Sequence, residues 1–321
     1  MDQPAGAAPE QDGGRAELTA EELPGARAGK SRWVRYAARI ISFAMLVAII
    51  LQLRNAGTEK LSALLPETAL FWIALAAMYM LQPLIEFGIY RKLWGMPLAG
   101  LPAVMRKRIS SDVLMGYSGE VYLYAWARER PHIVKKPFGA VKDVSILSAV
   151  SGNVVTLAML VLVYFHSGAE LLERLGLGQM ANIVIASLAF LIAIPLAAFF
   201  LRGRIFTLDR RTLAFVLAMH ILRIVGTTLL IALVWHLALP ELPLSTWLVL
   251  ATMRLLISRL PLIPNKEILF AVATALIVGG ASLVDELVAM TAALIFLIHL
   301  LLGLALAFAG MFERPRRAPA P

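Results

Sequence analysis

The sequence predicts an all-α fold, a polytopic membrane helix bundle of about eight membrane segments that include two broken or re-entrant hairpins. The first observation is composition: 60% of the residues are hydrophobic, 16% are charged, and the mean hydropathy is +0.77. A soluble domain of this size would need more polar surface. The second is a set of apolar runs, each close to the roughly 20 residues that cross a bilayer. The third is a pair of apolar segments interrupted by Gly or Pro.

The apolar runs define an integral membrane domain over residues 31–312. Residues 1–30 are rich in Ala, Gly, Pro and Glu and have no apolar face, which predicts a disordered cytoplasmic tail. Residues 313–321 are predicted to be a short basic cytoplasmic tail. The predicted spans are 36–53, 69–90, 144–165, 183–201, 213–239 and 287–309.

The distribution of Lys and Arg predicts the orientation of these spans. Basic residues precede the first span and are abundant in the loops that follow the second and fourth spans, whereas the intervening loops are poor in them. Short cytoplasmic loops carry an excess of Lys and Arg. We therefore expect a multi-pass protein of the plasma (inner) membrane with both termini in the cytoplasm.

Composition also argues against several function classes. The chain has no cysteine, which excludes disulfides and thiolate metal sites. Its net charge of +9 is concentrated at span ends, where topology and anionic headgroups account for it, so nucleic acid is not an expected partner. No metal or cofactor motif is present, and an enzyme is not expected. A lipid-modifying activity would need a pair such as His220 with Glu86.

Two interrupted segments, residues 105–125 and 252–272, are similar to two copies of one broken membrane element. An odd number of spans separates them, which predicts an inverted-topology repeat; chance similarity between two loops is the alternative. Matching broken segments indicate a transport site near the midplane. The second segment is either re-entrant or spans fully. The alignment pairs Glu120 with Glu267, Lys107 with Arg254 and Ser111 with Ser258.

Ionisable residues inside spans cost about 2.5–3.5 kcal/mol on insertion scales, and each therefore indicates a functional position. Glu86 is either an interfacial partner of Arg91 or a carboxylate that faces a cavity. Arg223 lies about three helical turns from Arg211, too deep for snorkelling. We expect Arg223 to pair inside the bundle with Glu86 or with one of the two aligned glutamates.

Arg254 and Arg259 lie on the arm that precedes the second break. Their charges favour either a phosphate ligand or, if the arm spans fully, snorkelling to a cytoplasmic surface. In the third span, Ser151, Gly152 and Asn153 are interpreted as a small-residue packing site.

The motif Gly116-x-x-Gly119-Glu120, followed by Pro261-x-x-Pro264-x-x-Glu267 before a long apolar C-terminus, resembles the flippase-like integral membrane family that includes the transmembrane region of lysylphosphatidylglycerol synthases. The resemblance covers most of the membrane domain in the order and spacing of its spans. The chain is identified as a diverged member, because Met115 and Leu123 stand where the family usually has Pro and Arg.

The resemblance implies a lipid translocase that moves an anionic phospholipid or a polyprenyl-phosphate carrier between leaflets, with membrane lipids as its partners. The alternative is a non-transporting membrane scaffold, or partner subunit, of an envelope-lipid enzyme. No catalytic residue is predicted. The predicted substrate-binding residues are Glu86, Gly119, Glu120, Arg223, Arg254, Arg259, Pro264 and Glu267.

Overall fold

The computed structural model describes residues 65–113, 118–130, 137–174, 181–259 and 282–312, with the single positions 270, 274, 275, 277 and 278. Within these ranges the chain forms helices and no strands. A 3-10 turn, Leu98–Gly100, precedes the second α-helix. The α-helices are α1 (Ala69–Trp94), α2 (Leu101–Val113), α3 (Ser118–Arg128), α4 (Pro137–Arg174), α5 (Ala181–Phe200), α6 (Arg202–Ile205), α7 (Arg210–Ala238), α8 (Leu244–Arg259) and α9 (Ser282–Phe312).

Four of the described helices are long and apolar enough to cross a membrane, as expected for a membrane-associated helical protein. Helix α5 contributes a shorter apolar stretch, Ile185–Phe200. The helical class is confirmed for this part of the chain. The first predicted span and both predicted tails lie outside the described residues. The four candidate spans are Ala69–Trp94, Pro137–Leu162, Arg210–Ala238 and Leu283–Leu306.

Large apolar side chains cover much of the outer surface of these helices. Ile185 and Phe200 on α5 are 63% and 76% exposed, and Leu301 on α9 is 59% exposed. Exposed apolar surface on this scale is unfavourable in water. These faces are therefore suited to contact with lipid.

Helix α4 is longer than the sequence analysis predicted. The predicted span ended at residue 165, whereas the helix continues to Arg174. The additional stretch contains Ala169, Leu171 and Leu172, which have high helix propensity. The prediction considered only how long the apolar run was, and it therefore missed a helical extension that carries polar residues.

Local signals fix the ends of the two central helices. Helix α1 ends at Gly95, whose φ of 63° and N–H bond to the Arg91 carbonyl oxygen form a left-handed cap that suits glycine. Helix α7 begins after Asp209, whose carboxylate accepts hydrogen bonds from the backbone N–H groups of Arg211 and Thr212. Hydrogen bonds from Thr212 and Arg211 lower the pKa of Asp209 below its ordinary value.

Helix α7 packs against α1, α4 and α8, and α1 is its most extensive neighbour. One buried apolar cluster, which includes Tyr90, Leu123 and Val216, joins α1 and α7 to α2, α3 and α4. A second, which includes Phe71 and Trp235, joins the other ends of α1 and α7 to α8 and α9. Helices α1 and α7 therefore run through both halves of the core.

Helices α2 and α3 form an antiparallel pair beside α1. The Ser118 hydroxyl donates to the Ser110 carbonyl oxygen at 2.6 Å. At the other end of the pair, the ring of Trp126 lies next to Gly100, just before α2. The connecting residues 114–117, which contain the first predicted break, lie outside the described residues.

Asp143 on α4 holds the loop that leads into α7. Its side chain is fully buried. One carboxylate oxygen accepts from the Thr207 N–H at 2.7 Å, the Thr207 hydroxyl at 2.8 Å and the Leu208 N–H at 2.9 Å. A buried carboxylate is tolerated only when it is hydrogen-bonded in this way.

Asp143→Ala is expected to lower the free energy of unfolding by about 3 kcal/mol, because three donors lose their acceptor. Unfolding of the purified protein in detergent micelles measures this loss. Asp209→Ala, which removes an exposed helix cap, is the control and should cost less. Equal losses in the two variants would contradict the role given to Asp143.

Candidate functional site

A buried carboxylate on α1 is the centre of the candidate site. Glu86 is 3% exposed, and its Oε2 accepts a hydrogen bond from Lys107 Nζ at 2.6 Å. Its Oε1 lies 3.6 Å from Nη1 of Arg223 on α7. The structure therefore favours a bundle-interior carboxylate over an interfacial partner of Arg91, and it brings Arg223 to a carboxylate as predicted.

Lys107 on α2 bridges two carboxylates. Its Nζ also lies 3.3 Å from Oε1 of Glu120, which is in the first turn of α3, where the helix dipole favours a negative charge. A protonated ammonium suits both contacts, because its charge is opposite to that of the two carboxylates.

Gly119 allows α3 to approach α2 at this point. A Cβ at Gly119 would collide with the Lys107 carbonyl oxygen and with the Ser111 hydroxyl. Only glycine fits against the backbone here. Gly119 thus has a packing role that places Glu120 within reach of Lys107.

Arg223 connects this cluster to α4. Its Nη2 donates to the Ser148 hydroxyl at 2.9 Å, while its Nε is buried and has no hydrogen-bond partner among the described residues. His220 lies one turn earlier on the same face of α7 and is 1% exposed. Within the described residues, the Nε–H group of Arg223 is therefore available to another acceptor.

Arg259, the last residue of α8, lies against the same face of α4. A Cβ at Gly152 would stand 2.6 Å from Cζ of Arg259, so the glycine makes room for the guanidinium. Gly152 follows Ser148 by four residues, and positions four apart are neighbours on a helix surface. The side chains of Arg223 and Arg259 therefore contact adjacent turns of α4. Gly152 acts as a small packing residue, although the group it admits is a guanidinium.

Arg254 occupies a different position on α8. Its Cζ lies 5.8 Å from the centre of the Trp235 ring, a cation–π distance. In the described ranges neither Arg254 nor Arg259 forms an ion pair with a carboxylate. The predicted site residues Pro264 and Glu267 lie outside these ranges, as does the second predicted break.

Sequence reasoning missed Lys107 and Ser148 as members of the site. Lys107 stands between two other basic residues, a pattern that is typical of a solvated face. Its burial results from the return of α2 along α1, which only tertiary structure shows. The alignment of Lys107 with Arg254 was the one available signal, and it did not indicate a partner.

The site offers charged and hydrogen-bonding groups. Within the described part of the chain, no group of three or more His, Asp or Glu could hold a metal ion. The chain matches no protein-family model, no curated protein and no solved structure.

Glu86→Gln is expected to lower the free energy of unfolding by about 3–5 kcal/mol, because it leaves Lys107 and Arg223 buried without their shared carboxylate. Unfolding in mixed detergent micelles measures the change. The double variant Glu86→Gln, Lys107→Gln removes one charge of each sign and should lose less than the sum of the single variants. Strictly additive losses would show that the two groups do not interact.

Proposed function

We propose that the protein is a lipid translocase that binds the phosphate of an anionic phospholipid or of a polyprenyl-phosphate carrier. The observation that carries this proposal is the pair of guanidinium groups, Arg223 and Arg259, on adjacent turns of α4. A guanidinium binds phosphate oxygens through two parallel N–H bonds, which is the role proposed for Arg259. The Nε–H group of Arg223 on the adjacent turn would add a third donor.

Charge supports this ligand class. Glu86 and Glu120 balance Lys107 and Arg223, which leaves the four-residue cluster neutral. Arg259 adds a positive charge for which the described residues supply no carboxylate. An unpaired guanidinium inside a helix bundle is costly, and an anionic ligand would offset that cost.

The α2–α3 pair supports a path through the membrane for this ligand. Arg108 on α2 donates to the carbonyl oxygen of Tyr79, fifteen positions before the last residue of α1. Helix α2 therefore turns back along α1, and α3 returns antiparallel to it. A re-entrant hairpin has this arrangement, and with the second predicted break it would form an inverted repeat.

The proposed setting is the plasma (inner) membrane, with both termini in the cytoplasm, as the distribution of Lys and Arg favours. Membership of the flippase-like family, as a diverged member, is part of the same proposal. It gains support from the positions of Gly119 and Glu120 beside Lys107, where the family motif would line the path.

The neutral cluster also favours a second candidate, a non-transporting scaffold for an envelope-lipid enzyme. In that case Glu86, Lys107, Arg223 and Glu120 would only hold four helices together, because their charges already satisfy one another. A scaffold would move no lipid and would co-purify with a partner in constant ratio.

The translocase proposal predicts that Arg259→Gln slows lipid movement by about tenfold or more, the effect of losing one charge-assisted hydrogen bond. The assay uses phosphatidylcholine vesicles with a trace of fluorescent phosphatidylglycerol and measures how much of it becomes accessible to an impermeant quencher. Arg204→Gln, at an exposed arginine of α6, is the matched control and should retain the wild-type rate.

Arg259→Lys keeps the charge without the fork of N–H groups and should give an intermediate rate. A wild-type rate in Arg259→Gln would refute the phosphate site. No lipid movement in the wild type, together with a stoichiometric partner in mild detergent, would establish the scaffold instead.

A further inference from the structure

A second polar cluster joins the tip of α2 to α9. Asp112 is near the end of α2, and its Oδ2 lies 2.9 Å from Nε2 of His299 on α9. The other ring nitrogen of His299, Nδ1, lies 2.7 Å from the carbonyl oxygen of Ile295. The His299 side chain is 5% exposed, whereas that of Asp112 is 44% exposed.

These two contacts indicate which atoms of His299 and Asp112 carry protons. A carbonyl oxygen only accepts hydrogen bonds, so Nδ1 must carry a proton and donate it to Ile295. A neutral imidazole then presents a lone pair at Nε2, which would face a carboxylate oxygen and be repelled. The 2.9 Å contact requires one more proton, either on Nε2 or on Asp112.

The surrounding groups form a defined electrostatic environment for that proton. From α2, Arg108 Nε lies 3.4 Å from Asp112 Oδ2, and its guanidinium lies over the Tyr79 ring of α1 at 4.3 Å. Tyr79 also contacts the His299 ring edge to face, at 5.1 Å between ring centres. From α7, the charge of Arg223 interacts with both Arg108 and Asp112 at longer range. The Asp112 carboxylate therefore lies between the Arg108 guanidinium and the His299 ring, and the Tyr79 ring contacts both of these groups.

We propose that Asp112 and His299 form a proton-binding site whose occupancy controls the contact between α2 and α9. With the proton bound, the two side chains share a hydrogen bond across the helices. When the proton leaves, the Nε2 lone pair faces the carboxylate and the contact is lost. The partly exposed Asp112 is the side from which the proton enters and leaves.

The position of this pair connects proton binding to the candidate site. Helix α2 carries Asp112 five residues after Lys107, which holds Glu86 and Glu120. Arg106 on the same helix donates to the Leu306 carbonyl oxygen of α9 at 2.7 Å. A shift of α2 against α9 would therefore move Lys107 and alter the phosphate site. The role of this proton in driving lipid movement rests on the proposed function, whereas the proton site itself does not.

The proton site is tested by nuclear magnetic resonance of the full chain, labelled with nitrogen-15 in its five histidines, in detergent micelles. His299→Gln identifies the signals of His299 by their loss. In the wild type the Nε2 signal of His299 should change at the pH where the pair loses its proton. In Asp112→Asn the pH at which this signal changes should fall by about one unit or more. The same titration pH in both proteins would overturn the proposal.

Coupling is tested separately in the phosphatidylcholine vesicles with fluorescent phosphatidylglycerol. A pH gradient across the vesicle should change the initial rate of lipid movement in the wild type and leave Asp112→Asn unaffected. His236→Gln, at a histidine that contacts the Leu242 carbonyl oxygen away from this cluster, is the matched control and should respond like the wild type.

An equal response to the pH gradient in Asp112→Asn and in the wild type would overturn the coupling between proton binding and lipid movement. Absence of lipid movement in the wild type would refute the proposed function while the titration still decides the proton site.

Discussion

The arrangement of the site depends on one interaction, the pairing of the buried Glu86 carboxylate with Lys107 and Arg223. Burying any one of these charges without a partner would destabilise the folded protein. The helices that carry them are therefore most stable where the three charges pair. The same pairing places Lys107 beside Glu120 and Arg223 beside Ser148.

Two glycines allow close approaches next to this pairing. Gly119 lets α3 approach the backbone of α2, and Gly152 lets the Arg259 guanidinium lie against α4. A side chain at Gly119 would collide with the α2 backbone, whereas one at Gly152 would displace the guanidinium of Arg259. The two glycines therefore serve the site through packing and carry no chemistry of their own.

The sequence was informative where one strong physical effect dominates. Long apolar runs predicted the four described helices that are long and apolar enough to cross a membrane. The position of Arg223 within its apolar run predicted a buried carboxylate partner, which is Glu86. The sequence did not predict which side chains pair when the partners lie on segments far apart in the chain. Lys107 and Glu86 are 21 positions apart, and Asp112 and His299 are 187 apart, so no local pattern could join them. The extension of α4 to Arg174 was missed because the length of an apolar run predicts where a chain can cross a membrane and does not predict where the helix ends.

The central claim is that Arg223 and Arg259 together bind a lipid phosphate, and native mass spectrometry of the protein released from its own membrane tests it most directly. The wild type should retain a phosphate-bearing anionic lipid well above the share of that lipid in the membrane, and the folded double variant Arg223→Gln, Arg259→Gln should not. Lipid retained at its membrane proportion in the wild type, or equally enriched in both proteins, would contradict the account.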